Sequence, residues 1–314
     1  MNGSFSAPVI TVSRLAPSTK NLTEVLENDI CEAFVTAQSA GRVTAQIDPA
    51  VQLGLTLFDL SSCLSATSKT EFIDGANFLK GEDLLRWKKK TDPRLATEFL
   101  IQRLVLYSTL GSVLGCRAHE IELAITKNGK PFLPHSALDF SISHTQTSTE
   151  SFLAVGWVHG SAELRPSIGV DIEVVKAGTQ VDRLAARFFS NFENERLRRL
   201  GPSDRVESFF KLWSAKESIV KALATGMFEH MGEVELDFFS GDVSGGVTGD
   251  VAGDNPGVVP VEVSAAAAAA VANQLVIRRL PLEAGPIGKW RVGNCWDEFL
   301  SARQMLGAVA VRLS

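Results

Sequence analysis

Apolar positions change their spacing several times along the chain, and each change predicts an element. Leu22, Val25, Leu26, Ile30, Ala33 and Ala37 recur at helical spacing, and Gly41 follows as a stop, so 21–40 reads as a helix after an irregular leader over 1–20. Val51, Leu53, Leu55 and Leu57 alternate, which predicts a strand over 51–58. A polar connection leads to the basic run Arg86-Trp87-Lys88-Lys89-Lys90. Asp92-Pro93 then supplies an N-cap and a first-turn proline for a helix to about Leu114. Strand patterns follow over 121–126, 140–143 and 152–158, with a turn at Asn128-Gly129 between the first two.

The stretch 160–166 reads as a joint between two halves. Beyond it the pattern predicts a strand over 168–174 and helical pieces over 181–200. A helix capped by Ser203 then runs to Thr225, where Gly226 stops it, and strands follow over 275–280 and 308–313. Strands and helices mix without a repeating alternation, which predicts an α+β fold. Residues 240–273 are rich in glycine and then alanine and read as an insertion without chemistry.

Composition narrows the function classes. A chain of 314 residues with 45% hydrophobic and 21% charged residues is ordinary for a globular protein of about two domains. The net charge of −5 argues against a globally basic nucleic-acid binder. No apolar run approaches the roughly 18 residues of a membrane span, and the N-terminus lacks a signal-peptide pattern, so a cytoplasmic protein is expected. The four cysteines and five histidines are scattered, which leaves no spacing for a thiolate or imidazole metal site.

Two patterns carry candidate chemistry. On the helix 203–225, Val206, Phe209, Phe210, Trp213, Val220 and Ala224 define an apolar face, and Glu217 falls near its middle, flanked by Lys221 and Lys216. A carboxylate there needs a partner: Lys221 as an i, i+4 ion pair, or a bound cation. On the strand 168–174, Ile168, Val170, Ile172 and Val174 share one face, while Gly169, Asp171 and Glu173 share the other. Two carboxylates two residues apart form either a solvated strand face or half of a hard-cation site. Taken together, Asp171, Glu173 and Glu217 could converge on Mg²⁺, with Lys216 and Lys221 beside them for phosphate oxygens. The basic run, Arg94, His144 and Lys130 are each readable as solvated or structural groups, or as anion ligands.

These residues fall in segments that resemble one family. GKP (129–131), SISH (141–144), GVDIE (169–173), RFFS (187–190) with Glu193, and WSAKESIVKA (213–222) come in the order and approximate spacing of the 4′-phosphopantetheinyl transferases of the surfactin-synthetase-activating type. The resemblance covers roughly 80–235. It implies two similar α+β lobes related by a pseudo-twofold axis, with the active site in the cleft between them. Residues 51–160 would form a coenzyme A-binding lobe and 161–314 a lobe carrying the metal and catalytic helix, with 1–50 as an extension. It implies transfer of the phosphopantetheine arm of coenzyme A to a serine of an apo acyl or peptidyl carrier protein by a monomeric enzyme. The alternative is a non-catalytic protein that binds coenzyme A or a carrier. By matching position, Asp171, Glu173 and Glu217 would hold Mg²⁺, Glu217 would also be a candidate base, and Lys216 and Lys221 would contact the pyrophosphate. His144 and Arg94 would bind the 3′-phosphate, and Lys130, Pro131 and Ser143 would line the nucleotide pocket.

Overall fold

The computed structural model describes residues 11–14, 44–48, 51–61, 78–161, 163–176, 178–226, 229–238, 275–295 and 305–313. The helix expected over 21–40 and the insertion over 240–273 lie outside them. The strands are β1 (Thr11–Arg14), β2 (Thr44–Asp48), β3 (Val51–Asp59), β4 (Ala124–Ile125), β5 (Pro131–Phe132), β6 (Leu138–Gln146), β7 (Ser151–His159), β8 (Ser167–Val174), β9 (Glu235–Phe238), β10 (Leu275–Arg279), β11 (Trp290–Cys295) and β12 (Met305–Arg312). The helices are α1 (Gly81–Lys88), α2 (Pro93–Leu114), α3 (Val181–Phe188), α4 (Asn191–Arg198) and α5 (Pro202–Leu223). Helix and antiparallel sheet mix as an α+β fold requires.

Four layers position the site. The first is α2. The second is the sheet β3–β7–β6, which β1 and β2 both join along β3, β1 in parallel. The third is the antiparallel sheet β8–β12–β11, and α5 packs on its far face. Three apolar clusters fill the gaps. Phe99, Leu106 and Leu110 of α2 meet Phe140 and Trp157 in one. Leu53, Leu55 and Leu57 meet Ile168, Val170 and Ile172 in the second. Phe209, Ile219 and Val220 of α5 meet Ala308 and Ala310 in the third. The alternation read from 168–174 therefore holds: its aliphatic face packs between the two sheets.

Two local choices set the helices. Asp92 accepts the Arg94 backbone N–H at 2.8 Å, Pro93 occupies the first turn, and Gly115 ends α2 in the left-handed region at φ 69°. α5 departs from the expected ends. Gly201 rather than Ser203 is its N-cap, because Pro202 is pre-set for the first helical position, and Ala224 closes it at φ 57° before Thr225. Burial along α5 is continuous from Ser214 to Val220, wider than one amphipathic stripe. The close approach is made at Gly169, where a Cβ would lie 1.7 Å from the Ser218 carbonyl oxygen and 2.7 Å from the Ala222 nitrogen. Only hydrogen fits there, and that brings Glu217 and Lys221 down onto β8.

Other expectations are corrected. The strand at 121–126 shrinks to Ala124–Ile125. The basic run does not follow an open connection but ends helix α1, whose short amphipathic pattern is masked by its charges. Thr11–Arg14 in the supposedly irregular leader, and Thr44–Asp48, are strands stabilised by pairing with β3, a tertiary effect that short patterns do not announce. β11 was not expected either.

Candidate functional site

The site begins with a polar seam between β6 and β8. Asp139, Ser141, Ser143 and Thr145 occupy alternate positions of β6 and so share one face. Asp139 accepts the Ile168 N–H at 2.8 Å, Ser141 the Val170 N–H at 3.1 Å, and Thr145 the Val174 N–H at 3.3 Å. Ser143 differs: it donates to a side chain, Asp171 Oδ1, at 2.9 Å. The SISH segment therefore sets two serines with different tasks, one holding backbone and one holding a carboxylate.

Above Asp171 lies α5. Lys221 Nζ donates to Asp171 Oδ1 at 2.6 Å and to Ser143 Oγ at 3.1 Å, and stands 3.6 Å from Glu217 Oε2. Asp171 is 2% exposed and Glu217 6%, so these charges interact through little water. Burial, then the Asp171 charge, pushes Glu173 up to about 7. Burial, the Asp171 charge and contact between the two carboxyl groups raise Glu217 as well, against the pull of Lys221. Burial alone would lower the Lys221 ammonium, and the facing Asp171 and Glu217 more than reverse that. Both readings left open for Glu217 thus meet: it pairs with Lys221, and the pairing leaves negative charge over.

That surplus bears on a metal. Among the described residues no three His, Cys, Asp or Glu side chains are gathered at ligating distance. The Lys221 ammonium is what Asp171 and Glu217 face. Yet Asp171 Oδ2 is buried without a hydrogen-bond partner, and Asp171 and Glu217 share one ammonium with Glu173 close by. An orphaned buried oxygen beside two carboxyl groups with raised pKa fits a hard divalent cation, which takes oxygen ligands.

A cationic region lies beside the carboxylates. His144 follows Ser143 on β6 and is exposed as a residue, with its imidazole partly covered by neighbouring groups. The surrounding protein lowers its pKa most, and the positive charges of Lys221, Lys90 and Arg103 add to that against the pull of Glu98. The imidazole thus feels three positive charges beside one carboxylate, a net cationic setting that favours an anion.

The comparisons agree with this chemistry. A family model described as the 4′-phosphopantetheinyl transferase superfamily matches residues 167–250. The 4′-phosphopantetheinyl transferase HetI of a Nostoc species is 29% identical over 172 residues, 54% of this chain and 68% of that protein. The 4′-phosphopantetheinyl transferase Sfp of Bacillus subtilis strain 168 is 28% identical over 178 residues, 56% of this chain and 70% of its own. Another 4′-phosphopantetheinyl transferase of Bacillus subtilis is 30% identical over 178 residues, with the same coverage of each chain. The chain belongs to the 4′-phosphopantetheinyl transferase superfamily.

In this phosphopantetheinyl transferase the structure brings Ser143, Asp171, Glu217 and Lys221 together, with Glu173 on the same strand face and His144 adjoining. It does not bring Lys216 there. Lys216 is 0% exposed, donates to Glu193 Oε2 at 2.6 Å and to the Val234 carbonyl at 2.7 Å, and lies over the Phe189 ring. The expectation that it contacts the pyrophosphate is corrected: on α5 it points to α4 and β9, away from β8. Lys130 Nζ donates to Asp139 at 2.6 Å and to the Ile168 carbonyl at 3.1 Å, pinning the 127–130 turn to the seam. Pro131 follows in β5. Arg94 is exposed in the first turn of α2, and its backbone N–H is held by Asp92.

Sequence reasoning missed Asp139, Glu98 and the role of Glu193. The first was findable, because it continues the alternate polar face of Ser141 and Ser143. Glu98 was hidden inside an apolar helix, where it accepts the Ser151 hydroxyl at 2.9 Å.

Proposed function

We propose that this enzyme transfers the 4′-phosphopantetheine arm of coenzyme A to a serine hydroxyl of an apo acyl or peptidyl carrier protein. The serine oxygen forms a bond to the phosphorus that bears the pantetheine, the pyrophosphate P–O bond breaks, and adenosine 3′,5′-bisphosphate leaves. The observation that carries this reading is the buried Asp171–Lys221–Glu217 cluster with its surplus of carboxylate, next to the cationic surroundings of His144.

Each residue then has a task. Lys221, fixed by Asp171 and Ser143, presents positive charge to the pyrophosphate where the leaving group becomes most negative. Glu217, whose raised pKa makes its ionised carboxylate a stronger base than an ordinary glutamate, takes the proton of the acceptor serine, directly or through water, when it is not itself a tight metal ligand. Asp171, Glu173 and Glu217 are the residues that would hold Mg²⁺, and the chemistry it supplies when bound is neutralisation of pyrophosphate charge. His144, with Arg94 at the start of α2, binds the 3′-phosphate, and Lys130, Pro131 and Ser143 line the nucleotide pocket. No internal nucleophile is required, because the carrier brings the serine.

The two lobes of this reading are 51–160 and 161–314, similar in architecture, with the reaction in the cleft between them. Its support is that β7 ends at His159 and β8 starts at Ser167, so the proposed joint falls between the two sheets. The test is direct. The protein is incubated with coenzyme A, Mg²⁺ and several apo carrier proteins, and the intact carrier mass is measured. A gain of one phosphopantetheine, abolished by EDTA, is the expected result. Coenzyme A binding without any mass gain across the carriers overturns the reading.

A further inference from the structure

A second buried charge cluster lies outside the site. Asp83 of α1 is 3% exposed and Arg103 of α2 is 5%. Arg103 Nε lies 2.9 Å from Asp83 Oδ2, and the Tyr107 hydroxyl donates to the same oxygen at 2.9 Å. Burial, and then the Asp83 charge, hold the Tyr107 phenol far above its ordinary range, so it stays a donor. Phe99, Arg103 and Tyr107 are spaced by four and form one stripe of α2. The Phe99 ring has Arg103 at 4.6 Å and Lys90 at 5.2 Å from its centroid.

Phe99 of this stripe shares an apolar cluster with Leu153, the β7 residue that pairs with His144. One residue before Phe99, Glu98 accepts the Ser151 hydroxyl of β7. Ser151 pairs with Gln146 of β6, two residues past His144, and Leu153 pairs with His144 itself. The charges of Lys90 and Arg103 are felt at the imidazole. An arginine without its carboxylate has little reason to stay in a nearly dry position, and α1 has no other ion pair to α2 among the described residues.

We propose that Asp83 is a positioning residue for the anion subsite at His144: by holding Arg103 and docking α1 on α2, it fixes where the Arg103 and Lys90 charges act on the 3′-phosphate of coenzyme A. The proposal rests on the reading above that His144 belongs to that subsite. Asp83 touches no substrate itself. Tyr107 supports it from the other side of the carboxylate, so its removal should weaken the same effect by less.

The experiment compares coenzyme A with 3′-dephospho-coenzyme A as donors for the wild-type enzyme, Asp83→Asn and Tyr107→Phe. The wild type is expected to favour coenzyme A. In Asp83→Asn the KM for coenzyme A should rise about tenfold, worth about 1.4 kcal/mol. Its KM for the dephospho donor and both kcat values should change by less than about twofold, a smaller step on the same scale. Tyr107→Phe keeps the ion pair and the fold and should give the same selective rise, about threefold, and it decides the question if Asp83→Asn does not fold. Equal rises for both donors, or none, overturn the positioning role. A wild type that does not distinguish the donors overturns the subsite reading on which it rests, whatever the variants do.

Discussion

Lys216 and Lys221 of helix α5 lie five residues apart, each 2.6 Å from a carboxylate, and they do opposite work. Around Lys216 both charged groups are satisfied. Glu193 accepts from Lys216 and from the Ser190 N–H at 2.7 Å through one oxygen, and from the Leu236 N–H at 3.0 Å through the other. Lys216 spends a second donor on the Val234 carbonyl. One carboxylate therefore ties α4, α5 and β9 together and keeps nothing in reserve. Around Lys221 the account does not close. One ammonium serves Asp171 and Glu217, with Glu173 close enough to feel them, and Asp171 Oδ2 has no donor. Each place joins a lysine to a carboxylate at the same distance. What separates a fold-holding pair from a reactive one is the number of partners still missing.

The comparison breaks most visibly if the Lys221 side is not the reactive one. Asp171→Asn and Glu217→Gln are each expected to lower the rate of carrier modification by about a thousandfold, as loss of a preorganised charge does. Glu217→Gln should melt no lower than the parent without metal, because it relieves crowded negative charge and leaves the Asp171–Lys221 pair in place. Carrier mass spectrometry and a thermal melt check the two halves, and normal transfer in either variant refutes the assignment. On the other side, Lys216→Met leaves the Glu193 charge buried and alone, which should cost about 3–5 kcal/mol in urea unfolding. Pairing it with Glu193→Gln, which removes the charge and keeps an acceptor for the backbone donors, should recover part of that loss. A fully stable Lys216→Met that has lost only transfer would return Lys216 to the substrate.

Titration sharpens the same contrast. Glu173 ionises at about 7 in the folded chain against an ordinary 4.5, and Glu217 is raised too. The folded state therefore holds protons that the unfolded state has released. The stability they contribute is complete below pH 4.5 and is lost as the pH rises through about 7. Without metal, the melting temperature should fall from pH 5 to pH 8, by roughly 2–4 °C for each kcal/mol lost. Mg²⁺ should flatten that fall, since it favours the ionised carboxylates. A metal-insensitive profile would argue against their role as ligands. The smallest effect belongs to the satisfied cluster. Ser190→Ala removes the side-chain cap that accepts the Glu193 N–H at 3.2 Å and should cost about 1 kcal/mol, with kcat unchanged.

Much of this is legible in the amino-acid sequence alone. Asp92-Pro93 and the glycine at 115 bracket α2 by local chemistry alone. The alternation over 168–174 assigns Asp171 to the face opposite the aliphatic residues, where the structure finds it. Glu217 declares itself by sitting on an apolar face. The roles of the two lysines were not legible, because both flank that glutamate at helical spacing. Only the position of α4 and β9 on one side and β8 on the other tells them apart. α1 was obscured by its own charges, and Asp83 within it gives no sign of its partner twenty residues on, since that contact exists only once two helices dock.

The seam between β6 and β8 has a consequence for solubility. Each strand ends its own sheet, and an unpaired strand end is where foreign chains add. Here the N–H groups of Ile168, Val170 and Val174 are already taken by side chains of β6, so these donors on the rim of β8 are occupied without a shared backbone ladder. Asp171 and Ser143 are stitches in that closure. A substitution that loosens it, such as Ser141→Ala at the Val170 N–H, endangers the chain by aggregation as well as by lost turnover, and selection for one property holds the other in place.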